Sequence, residues 1–250
     1  MQVFLSLTRR ELASYLVSLS GYVIVAAATF LTGFSFVMML TQLINEPSPM
    51  PITEMFYVTP FFWIILLLAA PVITMRTFAM EKFAGTYETL MTAPVRDGQV
   101  VLAKFTAALL FFLVMWLPML ACLAIIRHFT GDHSPVDWGS LGSTYLGILL
   151  VGALFLSMGC FASSLTHSQT IAAMISFALC TSLFLLSFLP TQLPASAGWA
   201  AQLLSSVALF DQMHDFARGV VDTRSVVFFA SFTAFFLFLT LRVVESRRWK

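Results

Sequence analysis

WGSLGSTYLGILLVGALFLSMGCFASSLTHSQTIAAMISFALCTSLFLLSFLP, residues 138–190, contains no Asp, Glu, Lys or Arg, and the charge-free run continues to Phe210. A charge at mid-bilayer costs roughly 2.5 to 3.5 kcal/mol even on the lenient insertion scale, so windows without one mark where helices can cross a membrane. A crossing needs about 20 apolar residues, and this window is too long for one. The polar run Ser163, Ser164, Thr166, His167, Ser168 and Gln169 divides it, and Pro190 and Pro194 stop its second half by removing backbone donors. Two spans result, near 141–163 and 170–189. The remainder, Ala195 to Leu209, is apolar but too short to cross. It reads as a re-entrant or interfacial outer helix, since irregular backbone at that depth must be buried in protein or line a water-filled cavity.

Outward from this stretch, four more windows lack Asp, Glu, Lys and Arg: 12–45, 55–75, 105–126 and 225–241. Each holds one span, near 17–41, 56–75, 101–126 and 225–243. The fold class is therefore all-α integral membrane, with six transmembrane helices in a single domain covering residues 1–250. Composition agrees: the chain is 59% hydrophobic and 10% charged, with mean hydropathy +0.91, against about 25% charged residues in soluble domains. Pro60 and Pro118 fall within the spans and permit kinks. Gly147, Ala153, Gly152, Ser157 and Gly159 give the fourth span a small-residue face on which another helix can pack closely.

Lys and Arg set the orientation. With six spans and the N-terminus inside, Arg9, Arg10, Arg76, Lys82, Arg96, Lys104, Arg242, Arg247, Arg248 and Lys250 collect on the cytoplasmic side, and Arg127, Arg218 and Arg224 outside. Ten against three satisfies the positive-inside rule and places both termini in the cytoplasm. The first apolar stretch follows Arg9, Arg10 and Glu11 and is too long for a signal-peptide core, so it is expected to stay in the mature protein. A net charge of +1 gives no basic footprint for nucleic acid. Cys122, Cys160 and Cys180 all fall in apolar stretches without CxxC spacing and read as packing residues.

Between spans two and three lies RTFAMEKFAGTYETLMTAPVRDGQ, residues 76–99. Met80, Phe83, Ala84, Tyr87, Leu90 and Met91 recur at three- and four-residue spacing, with Glu81, Lys82, Glu88 and Thr89 on the other side. This predicts a short amphipathic helix over 81–92, ended by Pro94. Helices that float in the headgroup layer are rich in Lys and Arg. Here Glu81 and Glu88 stand beside a lone Lys82, a pattern suited to a basic groove on a protein partner.

Glu81, Gly85, Thr86, Glu88, Leu90, Pro94 and Val95 form the string E-x-x-x-G-T-x-E-x-L-x-x-x-P-V, which resembles the first intracellular coupling helix of type-2 ABC transporter permeases. RREL-x-x-YLVSLSGYV (Arg9 to Val23), SSLT-x-x-Q (Ser163 to Gln169) and FARGVVDTR (Phe216 to Arg224) extend the likeness over the whole length. They are similar to the gliding-motility GldF-like branch, although His167 and Ser168 replace the acidic or amide residues more usual there. The resemblance implies a multi-pass inner-membrane permease, dimerising with a second copy or a related permease around a translocation path. A separate ABC ATPase, which holds the ATP and Mg, would grip Glu81, Phe83, Gly85, Thr86, Tyr87, Glu88, Leu90 and Pro94. Thr166, His167 and Gln169 would make a second cytoplasmic contact. Arg9, Arg10 and Glu11 would lie on an inner-leaflet helix, 195–209 would be the outer helix between spans five and six, and an extracytoplasmic auxiliary protein is implied.

Missing motifs bear on the rival functions. Without G-x-x-x-x-G-K-[ST] the chain has no phosphate-cradling loop of its own, so it is expected not to be an enzyme and to carry no cofactor. No Asp or Glu lies within a span core, which disfavours an ion-coupled carrier. HExxH and G-x-S-x-G are absent, and His128 and His133 are five apart, a spacing that stacks no pair of metal ligands on a helix. The competing reading is a non-transporting scaffold that anchors a soluble partner through the same helix. At the outer end, Asp211, Asp215 and Arg218 share one helical face by their spacing and are a candidate contact for an extracytoplasmic partner.

Overall fold

A computed structural model describes residues 2–45, 52–86, 96–130, 137–189 and 207–246, and every regular element among them is a helix. In chain order these are α1 (Gln2–Val17), α2 (Leu19–Asn45), α3 (Ile52–Val58), α4 (Pro60–Thr74), α5 (Ala79–Phe83), α6 (Asp97–Met115), α7 (Leu117–Thr130), α8 (Trp138–Leu165), α9 (Gln169–Leu186), α10 (Leu209–Ala217) and α11 (Thr223–Ser246). Six helical stretches are long and apolar enough to cross a membrane: Leu19–Ile44, Pro60–Phe83, Asp97–Phe129, Trp138–Leu165, Gln169–Leu186 and Thr223–Ser246. These are the six crossings expected from the charge-free windows. The outer helix expected over 195–209 lies almost wholly outside the described residues.

The helix ends follow local chemistry. Ser18 separates α1 from α2; its Oγ accepts from the Gly21 N–H at 3.0 Å and so caps the first turn of α2. Gly21 is required there, because a Cβ would fall 1.9 Å from the Tyr15 carbonyl oxygen. Asp137 caps α8 by accepting from the Ser140 N–H at 3.1 Å. The second span starts later than expected. Thr59 is extended and Pro60 takes the first helical position of α4, where a missing N–H is harmless, so residues 52–58 form the separate helix α3. The third span is two helices, broken at Trp116. Pro118 cannot donate to Val114, and the freed turn is held by Tyr145, whose hydroxyl donates to the Trp116 carbonyl at 2.8 Å.

Around α8 the other helices are arranged as a partial sheath. It packs against α4, α6, α9, α10 and α11, and 78% of its most apolar window is buried, against 11% for α11 and 22% for α9. Within lipid, close contact rather than water exclusion holds helices together, and small residues on α8 provide it. A Cβ on Gly147 would lie 2.9 Å from the Met213 sulfur, one on Gly152 2.2 Å from the Phe112 ring, and one on Gly159 2.0 Å from Thr74 Oγ1. The small-residue face thus receives α10, α6 and α4 of the same chain. Cys160 and Cys180 are buried in this packing, Cys122 is half-buried, and all three are free thiols. The outward faces of α2, α9 and α11 keep large apolar side chains exposed, among them Phe30, Met174 and Val227.

Polar side chains gather at the two ends of α8. Ser140 and Ser143 lie at one end beside α10, and Ser163 and Ser164 lie at the other beside α5. At 1.5 Å per residue the two groups are about 35 Å apart, which matches a hydrocarbon core of about 30 Å with its margins. Because the crossings alternate, α1 and the last turns of α11 share the α5 end.

Candidate functional site

At the α5 end, α5 is built onto the last turn of α8. The N-cap position of α5, Phe78, offers no side-chain acceptor. Ser163 supplies one from across the bundle: its buried Oγ accepts from the Phe78 and Ala79 N–H groups, both at 3.1 Å. In return the Lys82 ammonium donates to the Ser164 carbonyl, one of the acceptors that a helix C-terminus leaves without an internal partner. Each helix therefore terminates the other. The reciprocal capping, between residues 82 to 85 apart in sequence, brings 79–86 beside 163–169 in one surface. There Thr166 Oγ1 accepts from the Ser168 N–H at 2.9 Å, and His167 is exposed.

The sequence-expected contact residues divide unevenly. The amphipathic helix expected over 81–92 is not continuous from its start: α5 begins at Ala79 and ends at Phe83, and Gly85 has φ +71°. That left-handed conformation suits a residue without Cβ and stops the helix. Phe83 is 78% exposed and Met80 47% exposed, and Gly85 and Thr86 are exposed as well. Glu81 turns the other way, into an ion pair. Tyr87, Glu88, Leu90 and Pro94 lie outside the described residues.

That ion pair centres on Lys104 of α6, whose side chain is 3% exposed. Its Nζ lies 2.7 Å from Glu81 Oε1 and 3.1 Å from Glu11 Oε1, and Arg10 lies 3.0 Å from the same Glu11 oxygen. A buried ammonium needs such partners, since an uncompensated charge there costs several kcal/mol. Lys104 falls inside the span expected from residue 101, and a charge in that position was the signal for a buried partner. Its identity was not legible, because Glu11 and Glu81 are 93 and 23 residues away.

A family model described as "ABC-2 family transporter protein" matches residues 8–242. The chain belongs to the ABC-2 transporter family. Members are membrane-spanning permease components that generally work with an ABC ATPase and are generally not themselves catalytic. No curated protein matches the chain.

The opposite end of this ABC-2 chain carries a second charged site. Glu54 on α3, 3% exposed, receives two hydrogen bonds from the Arg218 guanidinium, at 3.1 and 2.8 Å, and faces His214 Nε2 at 2.8 Å. Hydrogen bonding from Arg218, against the opposing effect of burial, holds the Glu54 carboxyl below the usual glutamate range. The end of α10 is capped both by neighbouring helices and by its own following turn. Ser143 donates to the Phe216 carbonyl at 2.6 Å and Thr53 to the Ala217 carbonyl at 2.8 Å. Gly219, at φ +92°, closes the turn, with the Val220 N–H reaching the Asp215 carbonyl at 2.9 Å. All three residues expected to form an outer contact, Asp211, Asp215 and Arg218, are exposed, but Arg218 is paired with Glu54. Among the described residues no group of His, Cys, Asp or Glu is placed to hold a metal ion.

Proposed function

We propose that this chain is the permease subunit of an ATP-driven exporter in the inner membrane. It pairs with a second copy or a related permease to enclose the translocation path, and it is driven by a separate ATPase. The observation that carries the reading is the reciprocal capping of α5 and α8, which joins 79–86 and 163–169 into a single platform with Phe83 projecting from it. A push delivered to that platform passes directly into α8, the helix that touches most of the bundle. The α5 end is then the cytoplasmic side, in keeping with Arg10, Arg76, Lys82 and Lys104 gathered there and with the positive-inside rule.

In this reading Phe83, Gly85, Thr86 and the adjoining Tyr87, Glu88, Leu90 and Pro94 meet the ATPase. Thr166, His167 and Gln169 form the second contact. The strings similar to the GldF-like branch favour that branch and an extracytoplasmic auxiliary protein, for which Asp211 and Asp215 are the exposed candidates. Uncovered apolar faces on α2, α9 and α11 are available to lipid and to the second permease.

The experiment is co-purification of the chain with the products of its neighbouring genes, followed by ATPase assays on Phe83→Asp and Glu88→Arg. A P-loop protein is expected to co-elute, and both variants to lose substrate-linked stimulation of hydrolysis. Absence of any ATPase from the complex, together with crosslinks from Tyr87 and Leu90 that reach lipid alone, would favour the scaffold.

A further inference from the structure

A cleft of about 420 Å³ opens at the α5 end between α1, the Arg76–Glu81 turn and α6, within the ~300–1,000 Å³ range of small-molecule sites. Two of its lining side chains each keep one buried polar atom without a hydrogen-bond partner. Arg76 makes no ion pair among the described residues; its Nη1 donates to Ser20 Oγ at 2.6 Å, but its Nε is buried without a hydrogen bond. Glu81 gives Oε1 to Lys104, while Oε2 is likewise buried and unpaired. A buried donor and a buried acceptor left unmade each cost about 1–3 kcal/mol. The occupant that answers both carries an anionic acceptor and, beyond it, a donor.

We infer that this cleft binds the headgroup of a membrane phospholipid, with the phosphate on Arg76 and a headgroup donor on Glu81 Oε2. Phosphoethanolamine is the closest fit, because its ammonium meets the carboxylate and its phosphate meets the guanidinium, two charge-assisted contacts. The lining residues Arg10, Arg76 and Lys104 outweigh Glu11 and Glu81 by one positive charge, so an anionic phosphate is not repelled. A lipid rather than a soluble phosphoester is indicated by the elbow beside the cleft. Val17, Leu19, Tyr22 and Val23 are 60–82% exposed where α1 turns into α2, next to Ser18 and Ser20, and they form an apolar track for acyl chains. The assignment does not depend on which protein drives transport.

The test is native mass spectrometry of the full chain in detergent, titrated separately with phosphatidylethanolamine, phosphatidylglycerol and phosphatidylcholine of identical acyl chains. The ethanolamine and glycerol lipids are expected to be retained about tenfold better than the choline lipid, whose quaternary ammonium has no N–H for Glu81; one charge-assisted hydrogen bond is worth about that factor. Arg76→Gln is expected to lower retention of all three by a similar factor. Arg76→Lys, which keeps the charge and guards against misfolding, is expected to bind intermediately. Equal retention of the three lipids, or unchanged retention in a folded Arg76→Gln, overturns the assignment and leaves a water-filled cleft. Free O-phosphoethanolamine binding as tightly as the lipid overturns the membrane source.

Discussion

Lys104 Nζ stands 2.7 Å from Glu81 Oε1, and the same ammonium holds Glu11 at 3.1 Å. One cation from α6 thus serves α5 and α1 together, so α5 cannot leave α1 without separating a buried ion pair. Breaking such a pair from one side is far more costly than never having built it.

Lys104→Met leaves Glu11 and Glu81 facing each other at 15% and 18% exposure. A loss of about 3 kcal/mol is expected, read as a lowered unfolding midpoint in detergent at neutral pH. Adding Glu11→Gln and Glu81→Gln removes the stranded charges and is expected to restore most of the loss.

Ser163→Ala deletes the acceptor shared by the Phe78 and Ala79 amides. About 1–2 kcal/mol of local stability should disappear, as at other capping positions. Hydrogen exchange then speeds up at those two amides and through α5, while α11 remains protected. Unchanged exchange at Phe78 would contradict the capping.

Two glycines of α8 should respond in opposite directions to alanine. Around Gly142 nothing lies within 4 Å of an added Cβ, so Gly142→Ala gains the helix-propensity difference, up to about 1 kcal/mol. At Gly159 the new methyl group strikes Thr74, and the cost is about 1–3 kcal/mol. Thermal midpoints of the two variants, measured side by side, test the packing of α4 on α8.

Acid should weaken the α10 end first. Arg218 holds the Glu54 carboxyl below its ordinary range, so the folded state binds this proton less readily than the unfolded chain. The associated stability is complete above the unfolded value and is lost as pH falls through the lowered native value. The midpoint is therefore expected to fall as pH drops through about 4 and below. Glu54→Gln, with no titrating carboxyl, should flatten that acid limb; an unaltered limb would show that other carboxyls set it.

The candidate site was legible in part. Periodicity marks 80–91 as amphipathic, but it does not single out Gly85, whose left-handed backbone follows the end of α5. The polar run from Ser163 marks the break between spans; Thr166 lies at it, whereas Ser163 is still inside α8. Nothing local told that Ser163 also caps a helix beginning at Ala79. Glu81 was expected to face a partner by its place on the polar side. Its actual orientation depends on Lys104 and Glu11, contributed by helices whose packing no pattern in 76–99 encodes. Likewise Asp211 and Asp215 lie exposed on α10 with Arg218 just past its end, while the pairing of Arg218 with Glu54, 164 residues away, depends on α3 and α10 meeting beside α8.

Charge-free length settled the number of crossings, because a bilayer penalises each buried charge residue by residue and that penalty can be read from sequence alone. Proline likewise marked two of the breaks, at Pro60 and Pro118, since its effect acts on its own backbone. Which helix lies at the centre, which buried charge finds which partner, and how α5 comes to rest on the end of α8 were decided by tertiary structure. Those outcomes depend on close contacts and ion pairs between residues remote in sequence, whose energies exist only once the helices are side by side.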